Sequence, residues 1–321
     1  MVPTLGLHTT EYNNKIARDC YLKGLGLGRA GQHEEALAAF SDALTIDPGF
    51  ALAYVGRGFA LGKLGRYEEE IASCDQALEI DPSCIDALNT KAFALGVLGH
   101  FDQKIRCCEQ ALRIDPESAI AWNNMGVALG KLGQFEEEIR CCDRALSLRK
   151  RYISAWVNKG YALGRLKRYE EEITCYDRAL RIYPYYFSAL FQRGVALSKL
   201  KRHTESLDMF DRALSIDPDH PNALFFKGFS LSALGRHHEA VPLLEQAVAD
   251  DPSNAEAWVV LSNSCFMLGK LDESAKAFDQ AYYIDARDVR SGIVKSMVMM
   301  KAGRIDDAIR SFSEIFGILM R

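Results

Sequence analysis

The chain has 321 residues, 48% of them hydrophobic and 26% charged, with a formal net charge of −4. That composition excludes a disordered chain, the near-balanced charge points to neither an acidic tail nor a nucleic-acid binder, and no apolar run is long enough to span a membrane. Met1 to Arg18 lack the apolar core of a secretory signal, and nine cysteines without a Cys-x-x-Cys or Cys-x-x-x-His pair predict a reducing, cytoplasmic setting in which thiols act as small apolar residues.

After an amino-terminal segment, 1–16, the elements run in strict register. Alanine recurs every 34 residues at Ala43, Ala77, Ala111, Ala145, Ala179, Ala213, Ala247 and Ala281. Proline keeps the same step at Pro48, Pro82, Pro116, Pro184, Pro218 and Pro252, and glycine at Gly24, Gly58, Gly126, Gly160, Gly194 and Gly228. The result is nine units without insertion: 17–50, 51–84, 85–118, 119–152, 153–186, 187–220, 221–254, 255–288 and 289–321. In 51–84, Tyr54, Gly58 and Leu61 share one helical stripe, and positions 20, 24 and 27 of the unit form the facing stripe on a second helix. One such pair cannot bury its core alone, so stacked pairs supply it. Helix breaks are predicted at Gly65, Gly99, Gly133 and Gly235 and at the Asp-Pro steps, with Pro242 in the first turn of its helix, where its missing N–H costs little.

With Tyr54, Trp122, Trp156 and Trp258 at position 4, and Phe40, Tyr176, Phe210 and Phe278 at position 24, the units resemble the tetratricopeptide repeat family over 17–321. The resemblance implies an all-α, right-handed superhelical solenoid of antiparallel helix pairs. It also implies a non-enzymatic scaffold that binds a peptide or protein segment in a concave groove lined by positions 2, 5, 6, 9, 12 and 13. Where co-chaperone members hold a C-terminal carboxylate with cations, this chain has Asn123, Val127, Asn158, Ser188 and Gln192, so no chaperone tail is expected.

The chain departs from the family in its charges. Glu70, Lys104, Glu138 and Glu172 replace the alanine at position 20. Position 7 is cationic at Lys23, Arg57, Lys91, Lys159, Arg193, Lys227 and Lys295, and position 25 is acidic at Asp75, Glu109, Asp143, Asp177, Asp211, Glu245 and Asp279. Charge pairs linking helices are the preferred account. Lys150 stands where the fourth unit would carry proline.

No constellation for catalysis, cofactor or metal emerges. The histidines fall at turns in different units, and His237-His238 diverge on a helix. Cys107-Cys108 and Cys141-Cys142 occupy the buried flank of second helices, and Gly24-Leu25-Gly26-Leu27-Gly28 follows no strand that would make it a phosphate loop.

Along the groove positions, glycines fill position 12 from Gly28 to Gly164, where they either leave room for something to approach the backbone or permit close packing. Asn89, Asn123, Asn124, Asn158 and Gln192 are amides able to hold an extended peptide backbone, and this ladder resembles one in some long arrays of the family. The later units turn apolar on that face at Phe191, Phe225, Phe226, Phe229, Phe266 and Met267, either as a partner site or folded against one another. On the opposite face, Arg106, Arg113, Arg140, Arg144, Arg178 and Arg181 form an alternative basic patch for RNA or an acidic partner, with acidic residues interleaved. Finally, the apolar last helix, with Phe312, Ile315, Phe316 and Leu319, is expected to be an interface, through self-association or with a partner.

Overall fold

The computed structural model describes residues 4–284, with side chains from Asn13 onward, together with 297, 299–301, 303, 304, 307 and 308. Sixteen helices follow one another in 4–284: α1 (Thr4–Arg29), α2 (His33–Ile46), α3 (Ala51–Lys63), α4 (Tyr67–Ile80), α5 (Ile85–Val97), α6 (Phe101–Ile114), α7 (Ala119–Lys131), α8 (Phe135–Leu148), α9 (Ile153–Arg165), α10 (Tyr169–Ile182), α11 (Phe187–Lys199), α12 (His203–Leu214), α13 (Pro221–Ala233), α14 (His237–Asp250), α15 (Ala255–Met267) and α16 (Leu271–Ile284). Among the described residues there is no strand, and no helix is long and apolar enough to cross a membrane. The chain divides into two compact bodies, Met1–Leu166 and Lys167–Arg321. Odd-numbered helices open each repeat and even-numbered helices close it. α1 is the exception in length: it starts at Thr4, so the amino-terminal segment runs into the first helix without a break.

Within a repeat the two helices meet through sockets. A Cβ on Gly24 would lie 2.7 Å from the Phe40 ring, one on Gly194 2.6 Å from the Phe210 ring, and one on Gly228 2.7 Å from Leu244. These are contacts of position 8 with position 24. One turn further along, position 12 receives position 20: a Cβ on Gly62 would fall 2.3 Å from a Glu70 oxygen, and one on Gly96 2.8 Å from Lys104 Nζ. As the index rises on one helix it falls on the other, so the helices are antiparallel.

Between repeats the pairing is electrostatic. Lys91 pairs with Asp75, Lys159 with Asp143 at 2.6 Å, Arg193 with Asp177 at 2.8 Å and Lys227 with Asp211 at 2.6 Å. Each is a position-7 cation reaching the position-25 acid of the preceding repeat, as the charge pattern predicts. The acids stay half exposed, so each pair is a weak tether of about 0–1 kcal/mol. Indole N–H groups add a second link: Trp122, Trp156 and Trp258 donate to the carbonyls of Pro116, Lys150 and Pro252 at 2.9, 3.1 and 3.1 Å. The acceptor is a main-chain oxygen, so Lys150 serves as well as proline.

Each first helix ends on a left-handed residue at position 15. Gly31, Gly65, Gly99, Gly133, Gly235, Gly269 and Gly303 hold φ between 73° and 82°. Arg66 N–H then closes on the Leu61 carbonyl at 3.0 Å, outside the Gly65 N–H bond to the Gly62 carbonyl at 3.1 Å, the pair of bonds that caps such an end. At two repeats lysine takes this position, with φ 61° at Lys167 and 60° at Lys201, and Lys201 keeps the closing bond from Arg202 N–H to the Leu197 carbonyl at 2.9 Å.

Pro242 corrects the sequence expectation. α14 starts at His237, fixed by the left-handed Gly235, which leaves Pro242 inside the helix beyond the first turn. Its ring removes the amide that the His238 carbonyl would otherwise accept from. The carboxy-terminal interface residues Phe312, Ile315, Phe316 and Leu319 lie outside the described residues.

Both lysines are exposed, so only backbone strain distinguishes them from glycine. Lys167→Gly and Lys201→Gly should each raise stability by about 1 kcal/mol in urea denaturation, the left-handed penalty outweighing glycine's entropy. A loss of stability in both would show that these turns carry no strain.

Candidate functional site

In each body the first helices lie side by side. α1 touches α3, α3 touches α5, α5 touches α7 and α7 touches α9; in the other body α11 touches α13 and α13 touches α15. Successive second helices make no such contact among the described residues. The first helices therefore form an inner face in each body.

On the amino-terminal body this face holds two adjoining clefts. One, of about 510 Å³, has Tyr21 and Phe40 in its floor and Leu52, Phe59, His33 and Asp86 around it. The other, of about 530 Å³, lies between Phe59, Phe93 and Ile120, with Tyr67, Asn89, Thr90 and Asn124 on its walls and Glu70 within it. Phe59 and Phe93, both at position 9, are 52% and 54% exposed, and Leu52, Ile120 and Tyr161 are also exposed. Sequence reasoning placed the apolar stretch in the later repeats and missed this row. The signal was available: an aromatic at position 9, repeated at 34-residue spacing in Phe59 and Phe93.

Position 5 is the source of two corrections. Phe225 is 3% exposed and belongs to the core with Leu224, Leu244 and Leu261. Asn123 is 5% exposed, and its Oδ1 accepts from Asn158 Nδ2 at 3.0 Å. Each of these two faces the neighbouring repeat, so neither is presented to a partner. The amide row is thus partly internal, with Asn124 and Asn89 left on the cleft. Asn89 Oδ1 is buried without a hydrogen-bond partner. In the second body Phe191, Phe226 and Phe229 are half-buried and pack together: Phe226 stacks on Phe210 at 6.0 Å and meets Phe191 edge-on at 5.8 Å. Gln192 is half-buried beside them. Phe266 is half-buried under Lys301, whose Nζ lies 4.4 Å from its ring centroid, while Met267 is exposed.

The six arginines of the opposite face are all exposed. Arg106, Arg113, Arg140 and Arg144 belong to the first body, Arg178 and Arg181 to the second. Arg140 is paired with Glu137, and Asp143 among them is engaged by Lys159. The cysteines behave as packing residues: all nine are free thiols and all but Cys20 are buried. Burial pushes Cys74 and Cys108 up to about 12 and Cys141 to about 11, far from thiolate reactivity. Among the described residues no group of His, Cys, Asp and Glu has the makings of a metal site.

The position-20 charges are buried. Glu70, Glu138, Glu172 and Lys104 are each no more than 5% exposed. Burial pushes the three carboxyls up to about 7, against the opposing pull of Lys63, Lys131 and Lys199 respectively. Burial likewise lowers Lys104. One oxygen of each carboxyl, Oε2, has no hydrogen-bond partner. The folded-state values lie above the ordinary 4.5, so burial carries no ionisation penalty below that pH. As pH rises towards 7 the unfolded chain ionises while the folded carboxyls resist, and stability falls. The wild type should therefore lose stability from about pH 5 to about pH 8, by about 1 kcal/mol per carboxyl once solvent screening is allowed for, relative to the Glu70→Gln, Glu138→Gln, Glu172→Gln triple variant. Parallel pH profiles of the two proteins would contradict the burial of these groups.

Comparison with known proteins bears on the fold. Tetratricopeptide repeat models match residues 21–83 and 227–289, 185–253, 107–140 and 153–186. Comparison with curated protein sequences gives no match. The chain is similar in structure to the crystal structure of the APC/C hetero-tetramer Cut9–Hcn1, with 15% identity over 94% of this chain and 73% of that one and a TM-score of 0.58. It is also similar to a tetratricopeptide repeat protein from Parabacteroides merdae, with 14% identity over 78% of this chain and 99% of that one and a TM-score of 0.58.

Proposed function

Since the chain belongs to the tetratricopeptide repeat family, we propose that it is a protein–protein interaction scaffold that takes an extended segment of a partner along the inner face of its amino-terminal body. The observation that carries this reading is the exposed row of Phe59 and Phe93, joined by Leu52 and Ile120 over two adjoining clefts. Half-exposed aromatics aligned at a repeat spacing gain most by being covered, and aromatic anchors in desolvated pockets carry much of the energy at interfaces. Asn124 and Thr90 beside them supply hydrogen bonds to a main chain without reading its sequence. The structurally similar Cut9 occurs in a hetero-tetramer with Hcn1, in keeping with a partner-binding role for this fold.

A displayed library of random extended peptides offers a partner-free test. The wild type should enrich binders, and Phe59→Ala with Phe93→Ala should weaken them by about 2 kcal/mol or more while leaving thermal stability nearly unchanged. Equal enrichment by the double variant would move the binding face elsewhere. Binding that instead collapses between low and moderate salt, and is lost on replacing Arg106 and Arg140, would assign function to the arginine face.

A further inference from the structure

The cleft between Phe59 and Phe93 holds two acceptors that no described residue satisfies. Glu70 is 2% exposed, and its Oε2 has no donor; Asn89 Oδ1, across the same cleft, is also buried and unpartnered. Leaving buried acceptors unpaired is costly, and pairing a buried carboxylate with a cation recovers part of that cost. The nearest cation does not do so. Lys63 is exposed, and its Nζ rests over the Phe59 ring, 5.3 Å from the centroid. Gly62 leaves room for the carboxyl: a Cβ there would collide with Oε2 at 2.3 Å. Phe59, Phe93 and Ile120 give the cleft apolar walls beside the polar Thr90 and Asn124.

We propose that this cleft is a lysine subsite: the aliphatic stem of a partner lysine lies between Phe59 and Phe93, and its ammonium donates to Glu70 and Asn89. The chemistry matches on both counts. A lysine stem buries well against rings while its head seeks acceptors, and an ammonium brings the donors and the charge that the cleft lacks. The subsite rests on the inner face of the amino-terminal body being the partner groove. It adds which side chain that groove selects.

Proton linkage follows. The groups facing Glu70 are Lys63 from α3 and Tyr67 and Cys74 from its own helix α4, while α5 and α7 contribute only Asn89, Thr90, Phe93, Ile120 and Asn124. Burial holds the carboxyl near 7 in the free protein. An arriving ammonium favours the ionised form, so the lysine complex releases a proton and tightens as pH rises through neutrality.

The test uses blocked random peptides with one fixed central residue, either lysine, acetyl-lysine or norleucine, titrated calorimetrically into the full chain at pH 8 and pH 6. Lysine peptides should bind about tenfold or more tightly than the other two at pH 8, with the margin shrinking at pH 6 and nearly vanishing in Glu70→Gln. Thermal melts establish that this near-isosteric variant is folded. Lys63→Met, which removes the like charge at the rim, should widen the lysine preference. Peptides that bind irrespective of the central residue would overturn the subsite, assign water to the orphan oxygens and leave the groove intact. No binding by any of the three series would overturn the subsite and the groove together.

Discussion

Close approach of two helices through glycine is the constraint on which the rest of this molecule depends. Where a first helix lacks a Cβ it leaves a space against its second helix, and the guest that fills it comes from the partner helix. Phe40 and Phe210 fill the position-8 sockets of Gly24 and Gly194, and Leu244 that of Gly228. Gly56, from the following repeat, approaches the same Phe40 ring, so one aromatic locks two repeats. Glycine within a helix costs about 1 kcal/mol relative to alanine, and that loss is offset by packing a side chain at van der Waals distance from a backbone.

The second socket explains the unusual chemistry. Position 12 with position 20 accepts a long side chain, and in the amino-terminal body the guests are Glu70, Lys104 and Glu138. Charges enter where alanine would have sufficed, at the cost of desolvation that drives the carboxyls up and the lysine down. In the second body the equivalent region keeps a carboxyl at Glu172 and then turns to hydroxyls. Ser206 and Ser198 both bond Ser230, at 2.9 and 3.0 Å, and Ser262 and Ser274 exchange bonds with one another's carbonyls at 2.8 Å. Those serines satisfy each other, whereas the carboxyls keep an oxygen unpaired. The exposed phenylalanines thus stand beside buried acceptors in the first body, whereas the second body keeps Glu172 as a buried acceptor and carries a closed aromatic cluster.

Much of this was legible in the sequence, because the repeat tests every inference several times over. Helix pairs, glycine breaks and the position-7 to position-25 charge pairs follow from periodicity and from the need of a flanking cation for a partner. What escaped was decided by how neighbouring repeats lean on one another. Phe225 and Asn123 read as groove residues on a helical wheel, yet each is covered by the adjoining first helix, a contact no single helix encodes. In the first body Phe59 and Phe93 at position 9 stay exposed, whereas Val195 at the same position in the second body is buried. Pro242 was misplaced because its helix starts from the left-handed turn at Gly235, not from the proline. The glycines at position 12 allowed two readings in sequence, and only the coordinates of Glu70 and Glu138 identify the guest as internal.

One pair of substitutions tests the socket account by sign. Gly194→Ala would set a Cβ 2.6 Å from the fully buried Phe210 ring, whereas Gly26 lies on the exposed side of α1 with nothing within 4 Å of a Cβ. Helix propensity alone favours alanine at both by about 1 kcal/mol. The account predicts that urea denaturation will show Gly26→Ala stabilised by about that amount and Gly194→Ala destabilised by about 1–3 kcal/mol through overpacking. Stabilisation of both variants would contradict it, since the glycine at position 194 would then be no socket.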